Sequence, residues 1–199
     1  MKRLLFILIL TFSLQTLIKA DDIKDFEIEG FSLGQSLLEH FDKKKIDKEI
    51  NAKYAINYDD QFIQIATGFG NDFPLSKKLK NYDEVTLVLK TNDIDYIIYS
   101  VSGKIFCANT DECFLKKKQI IADLQNFFGE KVTIDSYKNK HGADKTGVSL
   151  THDTEFIFEN SKQRLVVSYY QWSKKLKLSD NVKVIIHDKV FDDFLQSYY

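Results

Sequence analysis

The sequence predicts an α+β protein with a mainly antiparallel sheet of about six to eight strands and three or four helices, packed mostly on one face. Two observations lead to this class. Short runs that alternate apolar and polar residues recur along the chain with turn residues between them, which is typical of antiparallel strands. Apolar residues at helical spacing occur only in an early, a central and a C-terminal region, so these helices are expected to form a second layer.

The strongest periodicity lies in the stretch Tyr82–Gly129. Alternation over Val85–Leu89 predicts a strand, and the sequence NDID at 92–95 predicts a turn because Asx side chains bond their own backbone. A longer strand follows, in which a glycine indicates a bulge or a tight turn. Thr110 or Asp111 then begins a helix that Gly129 ends. The stretch therefore predicts a hairpin, a short loop and a core helix.

The flanking regions predict the other elements. FEIEGFSLGQSLLEHF at 26–41 indicates a short strand, a glycine turn and a helix, and DKKKIDKEI at 42–50 indicates a lysine-rich helix. Further alternation predicts strands at 54–58, 62–65, 132–137, 154–159, 165–172 and 182–186, with a helix in the C-terminal tail. The polar segment KNKHGADKTGVSLTHD at 138–153 is expected to be a turn-rich loop.

The N-terminus has the layout of a secretory signal peptide. Lys2 and Arg3 precede the apolar run Leu4–Ile18, and Ala20 supplies a small residue before the expected cleavage site. We therefore expect a signal peptide at 1–20, a single α+β domain at 21–199, a periplasmic or secreted location, and no stable membrane anchor after cleavage. An uncleaved N-terminal anchor is the alternative.

The charge balance bears on the class of partner. The expected leader contains three of the 28 basic residues and none of the 29 acidic ones, so the rest of the chain has a net charge of −4. Proteins that bind nucleic acid or other polyanions are usually basic. The composition therefore argues against nucleic-acid binding.

Cys107 and Cys113 are the two cysteines of the chain. In an exported protein, two cysteines this close most simply form one disulfide. Free thiols, a redox pair or a metal site are the alternatives, although the five-residue spacing does not match a thioredoxin-like motif.

The polar segment 141–153 is the candidate site. It contains His141, Asp144, Lys145, Ser149 and His152, with glycines that permit tight turns. The two histidines and the acidic residues are potential metal ligands, but their spacing matches no metal motif. Ser149 with a histidine would be the nucleophile and base of a hydrolase, but TGVSLT lacks the nucleophile elbow. Trp172, in a strand rich in aromatic residues, is a further candidate for ligand stacking or for core packing.

Several segments resemble a known family. IEGFSLGQSLLEHF at 28–41, YDEVTLV at 82–88, YIIYSVSGKI at 96–105, HGADKTGVS at 141–149 and YYQW at 169–172 are together similar to a family of small exported proteins of Pelagibacter-type marine alphaproteobacteria. This resemblance covers most of the chain after the leader and implies no catalytic residues.

The segment Gly30–Gly34, GFSLG, resembles the start of the repeats in BamE-like outer-membrane assembly lipoproteins and β-lactamase-inhibitor-like domains. That resemblance implies an interaction module built from helices and an antiparallel sheet. The chain differs from those lipoproteins in having no lipobox cysteine.

The sequence therefore predicts a non-catalytic, soluble periplasmic module that binds a protein, a peptide or a small ligand, with no cofactor. Its candidate binding residues are His141, Asp144, Lys145, Ser149, His152 and Trp172. The alternative is a metal-assisted hydrolase that uses the loop His141–Asp153.

Overall fold

The structure is a computed structural model that describes Ile23 and residues 26–68, 74–142, 144–158 and 163–198. The expected signal peptide at 1–20 lies outside these ranges. Within them, no helix has both the length and the apolar character needed to cross a membrane.

The described residues form three α-helices and eight strands. The helices are α1, Lys43–Ile50; α2, Thr110–Phe128; and α3, Lys189–Tyr198. The strands are β1, Ile56–Tyr58; β2, Phe62–Thr67; β3, Glu84–Lys90; β4, Ile98–Phe106; β5, Val132–Lys140; β6, Leu150–Phe158; β7, Arg164–Gln171; and β8, Asn181–His187. Short 3₁₀ helices occur at Leu37–Glu39, Gly129–Lys131 and Lys174–Leu176.

All eight strands belong to one sheet, in the order β1-β2-β3-β4-β8-β7-β6-β5. Every neighbouring pair is antiparallel. The expected α+β class, the antiparallel pairing and the number of strands are thus confirmed. The two halves of the sheet are separate meanders, which meet where β4 pairs with β8.

The helices divide between the two faces of the sheet. On the first face, Ile46 of α1 and Leu124 and Phe128 of α2 lie in the main core with the apolar residues of every strand except β1. On the opposite face, which we call the α3 face, Phe191 of α3 packs in a smaller cluster with Phe62 and Val88. The α3 face is the one that the candidate site described below uses.

The predicted helix within 28–41 is wrong. The segment forms an isolated bridge between Ile28 and Phe31 and only a short 3₁₀ helix. Part of its backbone bonds to the first residue of β4 and to the turn before it, because Gly34 N donates to Ile98 O and Leu37 N donates to Tyr96 O. Apart from the bridge, the bonds within the segment make only one short turn, in which His40 N donates to Leu37 O. Backbone groups that are satisfied in this way leave the α-helix no advantage.

The polar segment 138–153 is only partly a loop. β5 continues to Lys140 and β6 begins at Leu150, so the segment is largely a hairpin with its loop at 141–149. Cross-strand pairing has therefore overridden the local preference of these residues for turns.

The bulge expected near Gly103 lies elsewhere. The register of β3 and β4 shifts between Val88 and Leu89, whereas Gly103 pairs regularly with Val85. A Cβ at Gly103 would lie 2.5 Å from ring atoms of Tyr82. The glycine is needed because the tyrosine ring lies directly on the strand.

The predicted disulfide Cys107–Cys113 is confirmed. It connects the end of β4 to the first turn of α2, and Cys113 is fully buried in the main core. The helix cap is one residue earlier than expected, since the Asn109 side chain accepts a hydrogen bond of 2.9 Å from Glu112 N.

Candidate functional site

Asp144 organises the loop between β5 and β6. Its carboxylate accepts hydrogen bonds from the backbone N–H and the hydroxyl of Thr146, at 2.9 and 2.7 Å, and from the same two groups of Ser149, at 2.9 and 2.6 Å. These donors, above all the Ser149 hydroxyl, hold the pKa of Asp144 well below its ordinary value. The residue is an ionised cap for the loop.

The Ser149 hydroxyl makes one hydrogen bond within the loop and another to the residue after Trp172. It donates to Asp144 and accepts a hydrogen bond of 2.8 Å from the backbone N–H of Ser173. Ser149 has no exposed surface. This arrangement stabilises the loop and leaves the hydroxyl with no path to a substrate. Lys145 is exposed on the same loop.

His141 and Trp172 meet on the α3 face. Their ring centroids lie 4.4 Å apart, and the His141 ring lies 5.5 Å from that of Tyr170. Tyr170 and Trp172 are stacked at 5.8 Å with an angle of 24° between their planes. Two of the predicted binding residues therefore lie in one aromatic group, together with a tyrosine.

His152 lies on the first face of the sheet. It stacks on Tyr169 with ring centroids 5.3 Å apart and meets the edge of Phe114, also at 5.3 Å. Tyr169 belongs to the main core, whereas Tyr170 next to it points to the α3 face. The sheet therefore separates His141 from His152, so the two rings cannot bind one metal ion together.

No group of three or more His, Cys, Asp or Glu side chains in the described residues is placed to hold a metal ion. Of the six predicted binding residues, the structure brings together two separate pairs, one of which is His141 and Trp172. Asp144 and Ser149 bond to each other within the loop, and Lys145 and His152 lie apart from both pairs.

A row of polar side chains crosses the α3 face from β3 to β5. Each member is the cross-strand partner of the next. In order across the sheet, the row consists of Glu84, Lys104, Lys183, Ser168, Asp153 and Tyr137.

Most members of this row are paired within it. Lys104 Nζ lies 2.7 Å from Glu84 Oε1, and Ser168 donates to Asp153 Oδ1 at 2.5 Å. Thr151, two residues before Asp153 in β6, donates a hydrogen bond of 2.8 Å from its hydroxyl to Asp153 Oδ2. The row thus has an ion pair, Glu84–Lys104, on one side of a lysine and a hydrogen-bonded pair, Ser168–Asp153, on the other.

That lysine is Lys183. Its ammonium group lies over the Tyr170 ring, 4.5 Å from the centroid, and makes no hydrogen bond or ion pair with any other described residue. Burial, and secondarily the charge of Lys104, lower the pKa of Lys183 to about 8. Lys183 in turn helps to lower the pKa of His141, for which burial is the main cause.

We call the group Lys183, Tyr170, Trp172 and His141 the lysine–aromatic site. α3 contacts β8 at its other end, where the Phe191 ring lies 5.4 Å from that of His187. His187 and Lys183 are four residues apart, or about 13 Å along the strand. The described helix on this face therefore ends short of the site.

Sequence reasoning did not select Lys183. The signal was present, because a lysine between Val182 and Val184 in an alternating strand must point to the face opposite the core. The order of the strands in the sheet, which the alternation does not reveal, is what places Lys183 beside Tyr170.

No protein-family model, curated protein or solved structure matches this chain significantly.

Proposed function

We propose that the protein is an exported, non-catalytic binding module, and that the lysine–aromatic site holds its ligand. The observation that supports this most directly is Lys183, whose ammonium group lies over the Tyr170 ring and forms no ion pair with any described residue, although the charge of Glu84 acts on it from beyond contact distance. Proteins rarely bury a lysine without a partner for its charge, because the charged form loses its hydration. An anionic ligand would supply that partner.

The neighbouring side chains indicate the shape of the ligand. Tyr170 and Trp172 are half-buried aromatic residues, and the Tyr170 ring lies next to the ammonium group. Aromatic rings stack on planar rings and on the apolar faces of sugars. A ligand with a carboxylate beside a ring would contact both parts of the site. We therefore propose small cyclic carboxylates, such as aromatic acids or acidic sugars, as the ligand class.

Export is part of the same proposal. The N-terminal sequence has the layout of a signal peptide, and the disulfide Cys107–Cys113 is of the kind that persists in an oxidising compartment. The geometry does not favour the alternative of a metal-assisted hydrolase, because its proposed nucleophile Ser149 is buried and its two histidines lie on opposite faces of the sheet.

Isothermal titration of the protein with benzoate, galacturonate and inorganic phosphate tests the proposal. We expect at least one of the two cyclic carboxylates to bind more tightly than phosphate, because phosphate has no ring to stack. Lys183→Gln should weaken binding about tenfold or more, which corresponds to the loss of one partly buried charge pair.

Lys44→Gln is the matched control. Lys44 is an exposed lysine of α1 on the other side of the sheet, so its replacement changes the net charge equally without touching the site. Failure of both cyclic carboxylates to bind, or equal affinity in Lys183→Gln and the wild type, would contradict the proposal.

A further inference from the structure

A second concave surface lies on the first face of the sheet, between α2 and the hairpin of β5 and β6. α2 starts over β7, where Phe114 contacts Tyr169, and ends over β6, where Phe128 contacts Phe158. Because the helix crosses the strands obliquely, it leaves the loop end of β5 and β6 uncovered. We call this surface the α2–β5 groove; its lining includes Phe114, Lys117, Lys118, Ile121, Ser136 and Lys138.

The walls of the groove are positively charged. Lys118 and Lys138 are exposed, and neither forms an ion pair with another residue in the described part of the chain. Lys117 is buried and its ammonium group donates a hydrogen bond of 2.7 Å to the carbonyl of His152. The groove thus gathers three cations in a chain whose net charge is −1.

The groove contains little negative charge to balance these lysines. The carboxylate at its edge belongs to Asp153, which accepts hydrogen bonds from Ser168 and Thr151 on the α3 face and whose charge acts on Lys117. The charges of Lys118 and Lys138 are available to an outside partner, and their complement is an acidic one.

The helix wall adds an apolar surface. Phe114 leaves 43% of its surface exposed, and Ile121 and Ala122 continue the same face of the helix. The groove follows α2 from Phe114 to Gln125, a length of about 16 Å at 1.5 Å per residue. An extended peptide of about five residues covers that length.

We infer that the α2–β5 groove binds a short, extended, acidic segment of a partner protein, which sets carboxylates against Lys118 and Lys138 and an apolar side chain against Phe114 and Ile121. Edge-to-edge pairing of β5 with β5 of a second copy is disfavoured, because both strands would present lysines at 138 and 140. This site lies on the opposite face from the lysine–aromatic site and is independent of it.

The test uses fluorescein-labelled hexapeptides and fluorescence anisotropy. The acidic probe alternates glutamate with leucine; one comparison peptide replaces glutamate by lysine, and another replaces leucine by serine. We expect the acidic probe to bind, the lysine peptide not to bind, and the serine peptide to bind at least about tenfold more weakly. Binding should also weaken as salt is raised, because the lysines are exposed.

Two variants place the binding in the groove. Lys118→Glu with Lys138→Glu reverses two charges on exposed residues, and Lys44→Glu with Lys45→Glu makes the same change in net charge on α1. Ala122→Gln fills the groove without removing a charge. We expect the first variant and Ala122→Gln to weaken binding about tenfold or more, and the α1 variant to bind as the wild type does.

Three results would overturn the inference. One is the absence of binding of the acidic probe to the wild type. Another is unchanged affinity in either groove variant, once circular dichroism has shown that it is folded. The third is a preference of the groove for dodecanoate or for phosphatidylglycerol vesicles over the acidic peptide, which would identify a lipid surface as the occupant instead.

Discussion

The ammonium group of Lys183 lies 4.5 Å from the centroid of the Tyr170 ring, near the middle of the sheet. The cation–π contact offsets only part of the hydration that the charge loses, which is why the pKa of Lys183 is lowered to about 8. A residue that opposes folding in this way at neutral pH is more easily explained by binding than by stability.

We predict that Lys183→Met stabilises the protein by about 1–2 kcal/mol at pH 7, because it removes a partly desolvated charge. The gain depends on pH. A lysine whose pKa is lower in the folded state destabilises that state below the folded pKa, and the penalty disappears as pH rises through 8 towards the ordinary value of 10.5. Urea unfolding at pH 7 and at pH 9.5 measures the difference.

Lys44→Met, on the exposed surface of α1, serves as the control for the loss of a surface charge. A gain of equal size at both pH values, or a loss of stability at pH 7, would show that burial of the Lys183 charge is not costly.

We predict that the fluorescence of Trp172 decreases as pH falls below about 6.5. Trp172 is the one tryptophan of the chain, and the His141 ring lies 4.4 Å from it. Protonated imidazole quenches indole by accepting an electron, and burial lowers the pKa of His141 below 6.5, so the quenching begins only at acidic pH. His141→Gln should abolish the titration, whereas His152→Gln, on the opposite face, should leave it unchanged.

We predict that Ser149→Ala destabilises the protein by about 1–3 kcal/mol, because it leaves the buried N–H of Ser173 without its partner. The same variant should raise the pKa of Asp144 towards its ordinary value, since the Ser149 hydroxyl is the main cause of the lowering. Carboxyl chemical shifts followed by NMR from pH 6 to pH 2 measure that pKa.

Ser149→Ala also separates the two functional hypotheses. We expect it to leave ligand binding at the lysine–aromatic site unchanged. A hydrolytic activity that is present in the wild type and lost in this variant, with the fold intact, would favour the hydrolase instead.

We predict that Cys107→Ala with Cys113→Ala lowers the free energy of unfolding by about 2 kcal/mol from the lost cross-link, with a further cost because Cys113 is buried. Urea unfolding of the wild type with and without dithiothreitol isolates the contribution of the cross-link. If reduction leaves the unfolding midpoint unchanged, the cross-link does not stabilise the start of α2.

The parts of the fold that could be predicted are those set by local patterns. α2 ends at Phe128 with Gly129 after it, as expected, because a long apolar stripe and a terminal glycine are determined within the segment itself. The helix expected near Leu37 failed for the opposite reason. The backbone N–H groups of Gly34 and Leu37 have their partners at the start of β4 and in the turn before it, about sixty positions later, and no local pattern indicates these partners.

The candidate site shows the same limit. The sequence marks both His141 and Trp172 as candidates, but their contact depends on the register between β5, β6 and β7. The sequence suggests that His152 and His141 act together, because the two lie in one polar segment. Since the side chains of a strand alternate between faces, the point at which β6 begins decides the face of His152. The first residue of β6 cannot be inferred from a segment this rich in turn-forming residues.

The last prediction concerns the glycine of β4. A Cβ at Gly103 would lie 2.5 Å from the Tyr82 ring, so Gly103→Ala must displace the ring, at a cost of about 1–3 kcal/mol. The same change should be neutral or stabilising in a Tyr82→Ala background, because alanine suits a strand better than glycine once the ring is gone.

The same substitution should also change the titration of the tyrosine. Burial raises the pKa of Tyr82 to about 12, and Gly103→Ala should lower that pKa again by exposing the phenol. Urea unfolding of the four proteins in this double-mutant cycle and ultraviolet titration of Tyr82 measure the two effects. Equal costs of Gly103→Ala in both backgrounds would show that the ring is not what requires glycine at this position.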